Sequence, residues 1–166
     1  MWVDNVEQAA LPPGHIALMV DASALSARLK ASCTNLTVQV KSQELAPAFN
    51  DEQALLDIQE FNSLIRKVHL LGDGEPWIHG RVVVPNNTYL AFQIEFDNMG
   101  DKLLGETLLY DRPDRTSVTR SAFQYAQITN TLWGRRSVFN IEQYKLLVTE
   151  VFLPAAVTRC KEDING

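Results

Sequence analysis

Two β-rich runs, Asn62 to Gly72 and Trp77 to Pro85, flank the dipeptide Asp73-Gly74. Asp-Gly between such runs is a strong short-range signal for a hairpin turn, so the two segments are expected to pair antiparallel. Three further strand-like runs follow, Thr116 to Ile128, Leu132 to Ile141 and Tyr144 to Leu153. The links between them are too short for parallel crossovers, which take a dozen or more residues. Upstream, Leu36, Val38 and Val40 alternate with Thr37, Gln39 and Lys41, the period of a half-buried strand.

Helices are expected at the N-terminus and in the middle. Leu11-Pro12-Pro13-Gly14 is a turn signal, and His15 to Val20 can form a short helix. Asp21 is a suitable N-cap for a second helix, in which Leu25, Leu29 and Cys33 share one side. The stretch Gln43 to Phe61 is polar, with a helical turn expected around Glu52 to Ile58. Asn86 to Tyr110 has helical composition broken by Gly100 and Gly105, Pro154 ends the last strand, and Lys161 to Gly166 reads as a frayed tail. The expected fold is α+β, one domain over residues 1–166 with about six antiparallel strands.

Composition narrows the function classes. The 46% hydrophobic and 21% charged content is that of a globular protein, and the net charge of −5 argues against a nucleic-acid partner. A small anionic ligand stays compatible, because a few buried arginines create a local positive field in an acidic protein. Cys33 and Cys160 are too few for a disulfide framework and lack zinc-site spacing. No apolar run approaches the length of a membrane helix, and no basic-then-apolar leader opens the chain, so a soluble cytoplasmic protein is expected. Gly72-x-Gly74 lacks the rest of a dinucleotide fingerprint, the three histidines show no metal-ligand spacing, and no serine sits in a nucleophile elbow.

The informative residues break their strand's pattern. In the first hairpin strand Leu64, Arg66, Val68 and Leu70 share a face, and Arg66 is its lone charge. An arginine there keeps its proton and needs an anion or a set of acceptors. In the last strand Tyr144, Leu146, Val148, Glu150 and Phe152 share a face, again with one charge, Glu150. An ionised carboxylate among aliphatic groups is costly unless a positive or hydrogen-bonding partner stands nearby. The two residues either form a structural salt bridge or line a pocket, with Arg66 gripping a carboxylate and Glu150 meeting a hydroxyl or a proton in transit. Arg135 and Arg136 are adjacent in one strand, so at most one joins that interior. Arg81 and Arg120 each read as surface or packing arginines, while collectively the arginines suit a dianionic ligand.

These residues also carry a resemblance. Asp73-Gly74-Glu75-Pro76-Trp77, with Gly80-Arg81 and Val83-Val84-Pro85, resembles the hairpin of the bacterial chorismate pyruvate-lyase family. Leu104-Gly105, Leu132-Trp133-Gly134-Arg135-Arg136-Ser137 and the block Leu146 to Ala155 resemble later segments of that family, in its order and at close to its spacing. The likeness covers residues 62–155 and is weak before them.

The resemblance implies a six-stranded antiparallel sheet whose helical flaps cover an internal cavity. It implies that Arg66 anchors the ring carboxylate of chorismate and that Glu150 holds the 4-hydroxyl and assists proton movement. Backbone amides near Leu25 and Leu104 are expected to meet the product carboxylate, and Arg135 or Arg136 the enolpyruvyl carboxylate. The implied reaction eliminates pyruvate to leave 4-hydroxybenzoate for ubiquinone biosynthesis. It needs no redox or metal cofactor, and a buried product implies product inhibition. The implied partners are these small molecules alone, with no membrane insertion and a monomeric chain. The competing expectation is a non-catalytic effector-binding domain like those of GntR-type regulators, which share this fold.

Overall fold

The computed structural model describes residues 1–21, 25–59, 61–109 and 118–165, with side chains to residue 160. Six strands form one sheet: β1 (Leu36–Ala46), β2 (Ser63–Gly72), β3 (Glu75–Val84), β4 (Val118–Gln127), β5 (Trp133–Ile141) and β6 (Tyr144–Phe152). Their order is β1-β2-β3-β6-β5-β4, with every neighbouring pair antiparallel. Asp73 and Gly74 turn the β2–β3 hairpin with φ of 49° and 85°, the left-handed backbone that a two-residue hairpin turn requires. The Asp73 carboxylate accepts hydrogen bonds from the backbone amides of Thr34 and Asn35, pinning the entry to β1 onto the turn.

The helices are α1 (Val6–Ala9), α2 (Pro13–Met19), α3 (Leu25–Lys30), α4 (Asn50–Leu56), α5 (Asn86–Ala91), α6 (Gln93–Asp97) and α7 (Pro154–Asn165), with a π-helical segment at Gly105–Leu109. Ile65, Val83, Leu147 and Val138 form a register row across four strands on one face, which packs with Leu56 of α4. On the other face Val82, Val84, Phe139 and Leu146 pack with Phe92 and Phe96 of the α5–α6 region and with Leu108. Near the hairpin turn, Leu18 and Met19 of α2, Leu29 of α3 and Ala156 of α7 bury Trp77, Ile78 and Phe152.

Three expectations need correction. β1 continues to Ala46 instead of giving way to a polar stretch at Gln43, because a bulge between Val40 and Ser42 breaks the alternation that marks its first half. Pro154–Asn165 form α7, so a helix runs through Lys161 to Asn165, most of the segment expected as a frayed tail. Its apolar residues Ala156, Val157 and Cys160 are buried in the core beside Trp77, a tertiary contact that local composition does not encode. Helices therefore also stand at the C-terminal end. The expected starts of the second helix and of the fourth strand touch residues 22–24 and 116–117, which lie outside the described residues.

Candidate active site

The even face of β2 and the matching faces of β3, β5 and β6 form the floor of a pocket of about 100 Å³. That volume is of the order of the ~150 Å³ cavity known to hold a benzene molecule. Val68, Gly80, Val82 and Val148 make its apolar base, while Leu25 and Ser26 of α3 and the run Lys102 to Gly105 cover it. Gly80 stands opposite Glu150 in the register, and a Cβ added there would lie 3.1 Å from Val68 Cγ2, so the base has no room for a side chain at that point.

Arg66 and Glu150 both line this pocket, and they do not neutralise each other. Arg66 is 3% exposed and meets only neutral acceptors. Its Nη1 donates to Gln43 Oε1 at 2.9 Å, and its Nη2 to the carbonyls of Gly100 at 2.8 Å and Lys102 at 3.2 Å. Burial pushes its pKa down from the ordinary arginine value, opposed by the charge of Asp101. The guanidinium still keeps its proton. It is thus a buried cation with no carboxylate in salt-bridge contact among the described residues.

Glu150 pairs instead with Arg135, its direct register partner on β5. Arg135 Nε donates to Glu150 Oε1 at 2.9 Å, while its Nη1 donates to the carbonyls of Met19 at 3.1 Å and Asp21 at 2.7 Å. Among the described residues no hydrogen bond reaches Glu150 Oε2. Arg66 and Arg135 therefore act alike on the cover. One holds the backbone leading into Gly105–Leu109 to the sheet, and the other holds the backbone leading into α3.

The expected residues divide cleanly. Leu25, Leu104, Arg66, Glu150 and Arg135 come together around the pocket. Arg136 does not, since the residue after Arg135 in a strand must face the other way. Its Nη1 donates to Asp51 at 2.6 Å, its Nε to Gln124 at 2.9 Å, and the group stacks over Trp2. Arg81 also faces away, held by Glu52. His69 and His79 are cross-strand neighbours with ring centroids 5.1 Å apart, half-buried rather than exposed, on the face opposite the pocket. Two residues on the pocket side differ from expectation, Gln43, expected in a polar stretch, and Arg120, expected as a surface or packing arginine, and each follows a bulge or precedes one. Arg120 lines the pocket with its guanidinium over the rings of Phe123 and Phe139, at 4.4 and 4.7 Å from their centroids.

Among the described residues no group of three His, Cys, Asp or Glu side chains could hold a metal ion, and no helix is long and apolar enough to cross a membrane. Cys33 and Cys160 form no disulfide and sit in the core that α7 packs into. Burial, with the charge of Asp73 second, pushes the Cys33 thiol up, away from the reactive thiolate.

Fold and pocket together define a class, a one-sheet antiparallel α+β protein whose pocket carries net positive charge. The sequence model that describes chorismate lyases matches residues 1–162. A "Probable chorismate pyruvate-lyase" of Shewanella amazonensis is 33% identical, over 94% of this chain and 88% of its own length. A "Chorismate pyruvate-lyase" of Cronobacter sakazakii is 32% identical, over 84% of this chain and 79% of its own. The chain belongs to the chorismate lyase family, and is by that membership an enzyme of the carbon–oxygen lyase class. Among solved structures, the C-terminal domain of a histidine utilization repressor from Pseudomonas syringae pv. tomato matches with a TM-score of 0.55 at 9% identity, over 74% of this chain and 94% of that one. The ligand-binding domain of a GntR-family regulator from Bordetella bronchiseptica matches at 0.51 and 7%, over 72% and 83%. At such identities the likeness is one of fold.

Proposed function

We propose that the protein is a chorismate pyruvate-lyase, converting chorismate to 4-hydroxybenzoate and pyruvate as the entry to ubiquinone biosynthesis. The observation that carries this reading is the pocket's pairing of a buried arginine that lacks a carboxylate with a glutamate whose second oxygen is open. An aromatic acid with a para hydroxyl has a complementary group for each. In this reading Arg66 binds the ring carboxylate, with backbone amides near Leu25 and Leu104 completing its hydrogen bonds, and Glu150 Oε2 takes the 4-hydroxyl.

The chemistry is an elimination. The bond between the ring and the enolpyruvyl oxygen breaks, and its electron pair leaves with that oxygen. The hydrogen on the neighbouring carbinol carbon leaves as a proton, the ring becomes aromatic, and the enol takes up a proton on its methylene carbon to become pyruvate. Every atom of chorismate is recovered in the two products, and no electron carrier enters the balance. The protein's work is to select the reactive conformer, exclude water and stabilise the departing charge. In this reading Glu150 receives the proton in transit, and its hydrogen bond from Arg135 Nε keeps the carboxylate oriented. The cover held by Arg66 and Arg135 supports slow product release. In this reading the chain acts as a monomer in the cytoplasm, with these small molecules as its partners.

Incubation of the purified chain with chorismate alone tests this. Equal amounts of 4-hydroxybenzoate by chromatography and pyruvate by a coupled dehydrogenase assay are expected; no conversion rejects the reading. The fold likeness to regulator domains favours one rival, a sensor that binds 4-hydroxybenzoate and leaves chorismate intact.

A further inference from the structure

β4 carries one residue more than its partner at Ser121: Arg120 stands opposite Phe139, yet Ala122 stands opposite Val138. Phe139 faces the pocket and Val138 the other side of the sheet. Unbroken alternation through Ser121 would put Arg120 on the outer face with Ala122 and Gln124. The bulge turns it inward instead, to the side of Phe123 and Tyr125, which oppose Ser137 and Arg135. Bulges of this kind re-aim side chains and are over-represented beside active sites.

The side chain so placed is unlike its two neighbours. Arg66 and Arg135 spend their donors on carbonyls, a glutamine and Glu150. Arg120 Nη1 is closed off from solvent and has no hydrogen-bond partner among the described residues. A buried donor left unsatisfied is unfavourable in the empty pocket and favourable once a ligand supplies the acceptor. The rings of Phe123 and Phe139 fix the guanidinium, so no rotamer freedom is lost when an anion docks. Charge points the same way. Arg66, Lys102, Arg120 and Arg135 against Glu150 give the lining four positive charges and one negative, a surplus that suits a ligand with two carboxylates. Position agrees too: Arg66 enters from β2 and Arg120 from β4, at opposite sides of the five-strand span β2-β3-β6-β5-β4, with the Glu150–Arg135 pair between them.

We propose that Arg120 binds the second carboxylate of the substrate, the one carried by the enolpyruvyl group. This rests on the lyase reading and corrects its expected site, since Arg136 faces away and Arg135 is committed to Glu150. The carboxylate stays with the leaving group, so Arg120 touches chorismate and pyruvate but not 4-hydroxybenzoate.

The test is the Arg120→Gln variant with three readouts. First, kcat/KM for chorismate is expected to fall by about 100-fold, the scale of truncating one partner of a buried charge pair. Second, the Kd of 4-hydroxybenzoate is expected to change by no more than about threefold, the scale of an exposed contact. Third, an unreactive dicarboxylate, 3-(carboxymethoxy)-4-hydroxybenzoate, is expected to bind the wild type at least about tenfold more tightly than the variant. Arg120→Lys, which keeps the charge but not the fork, should recover part of that loss, and thermal melts report the folding of both variants. Equal weakening of both ligands, no weakening of either, or a wild type that gains nothing from the second carboxylate overturns the proposal. A wild type inert towards chorismate overturns the lyase reading instead, and the two-ligand comparison still decides the role of Arg120.

Discussion

Arg135 and Glu150 face each other directly across β5 and β6, Nε to Oε1 at 2.9 Å, and the arginine is only 2% exposed. Neither can be removed without cost to the other. Glu150→Ala leaves a buried guanidinium without its carboxylate and is expected to destabilise the protein by about 3 kcal/mol in urea denaturation. Glu150→Gln keeps the shape and the hydrogen bond, so it should stay folded while losing turnover. Near-normal activity in the glutamine variant would remove Glu150 from the chemistry and leave it a structural partner.

Arg66 ties three neutral acceptors and, in the proposed reaction, one carboxylate. Arg66→Met is expected to weaken 4-hydroxybenzoate by more than about 2 kcal/mol, read by calorimetric titration. The same change releases the carbonyls of Gly100 and Lys102 from the sheet. Hydrogen exchange over Gly105–Leu109 should therefore accelerate, and unchanged exchange there would show that the cover is held by other contacts.

A second tie joins the two halves of that cover. Lys30 at the end of α3 forms an ion pair with Glu106 in Gly105–Leu109, both side chains being substantially exposed. Exposed pairs contribute at most about 1 kcal/mol. Lys30→Ala is accordingly expected to raise the dissociation rate of 4-hydroxybenzoate by up to about fivefold with little change in melting temperature. Stopped-flow displacement measures the rate, and an unchanged rate would show that the cover opens elsewhere.

His79 sets a pH dependence on the face away from the pocket. Burial first, then the charges of His69, Lys67, Arg81 and Lys41, hold its pKa below the ordinary value of 6.5. The unfolded chain accepts a proton near 6.5 that the folded chain resists, so this contribution is complete above that value and is lost as pH falls below it. Burial lowers His15 in the same sense, so the discriminating measurement is a difference. His79→Gln should lose less stability than the wild type between about pH 7 and 5. Parallel pH profiles for the two proteins would refute the assignment.

The two bulges explain most of what the sequence concealed. Arg66 and Glu150 were legible because each is the one charge on an apolar face of period two, in strands whose own alternation is unbroken. Arg120 was not, since counting back from Phe123 and Tyr125 assigns it the wrong side, and only the pairing with β5 reveals Ser121 as extra. The second half of β1 was hidden likewise by the shift between Val40 and Ser42, which brings Gln43 opposite Arg66. The adjacency of Arg135 and Arg136 showed that one faces inward, while choosing between them needed the register against Glu150. The hairpin was plain because Asp73-Gly74 acts locally; α7 was not, because it is held by Trp77 and the N-terminal helices.

Ser121 has a meaning beyond the single strand. Were the bulge ironed out by a one-residue slip that set Ser121 opposite Phe139, Phe123 and Tyr125 would stay in place, Arg120 would rotate outward, and Ser121 and Thr119 would take the inward positions. With the proposed role of Arg120, a receptor for a doubly charged guest would become one for a singly charged guest without a change to any residue that touches it. Ligand valence in this fold is thus written in strand register as well as in side-chain identity, and comparisons between related chains should locate the β4 bulge before they compare letters.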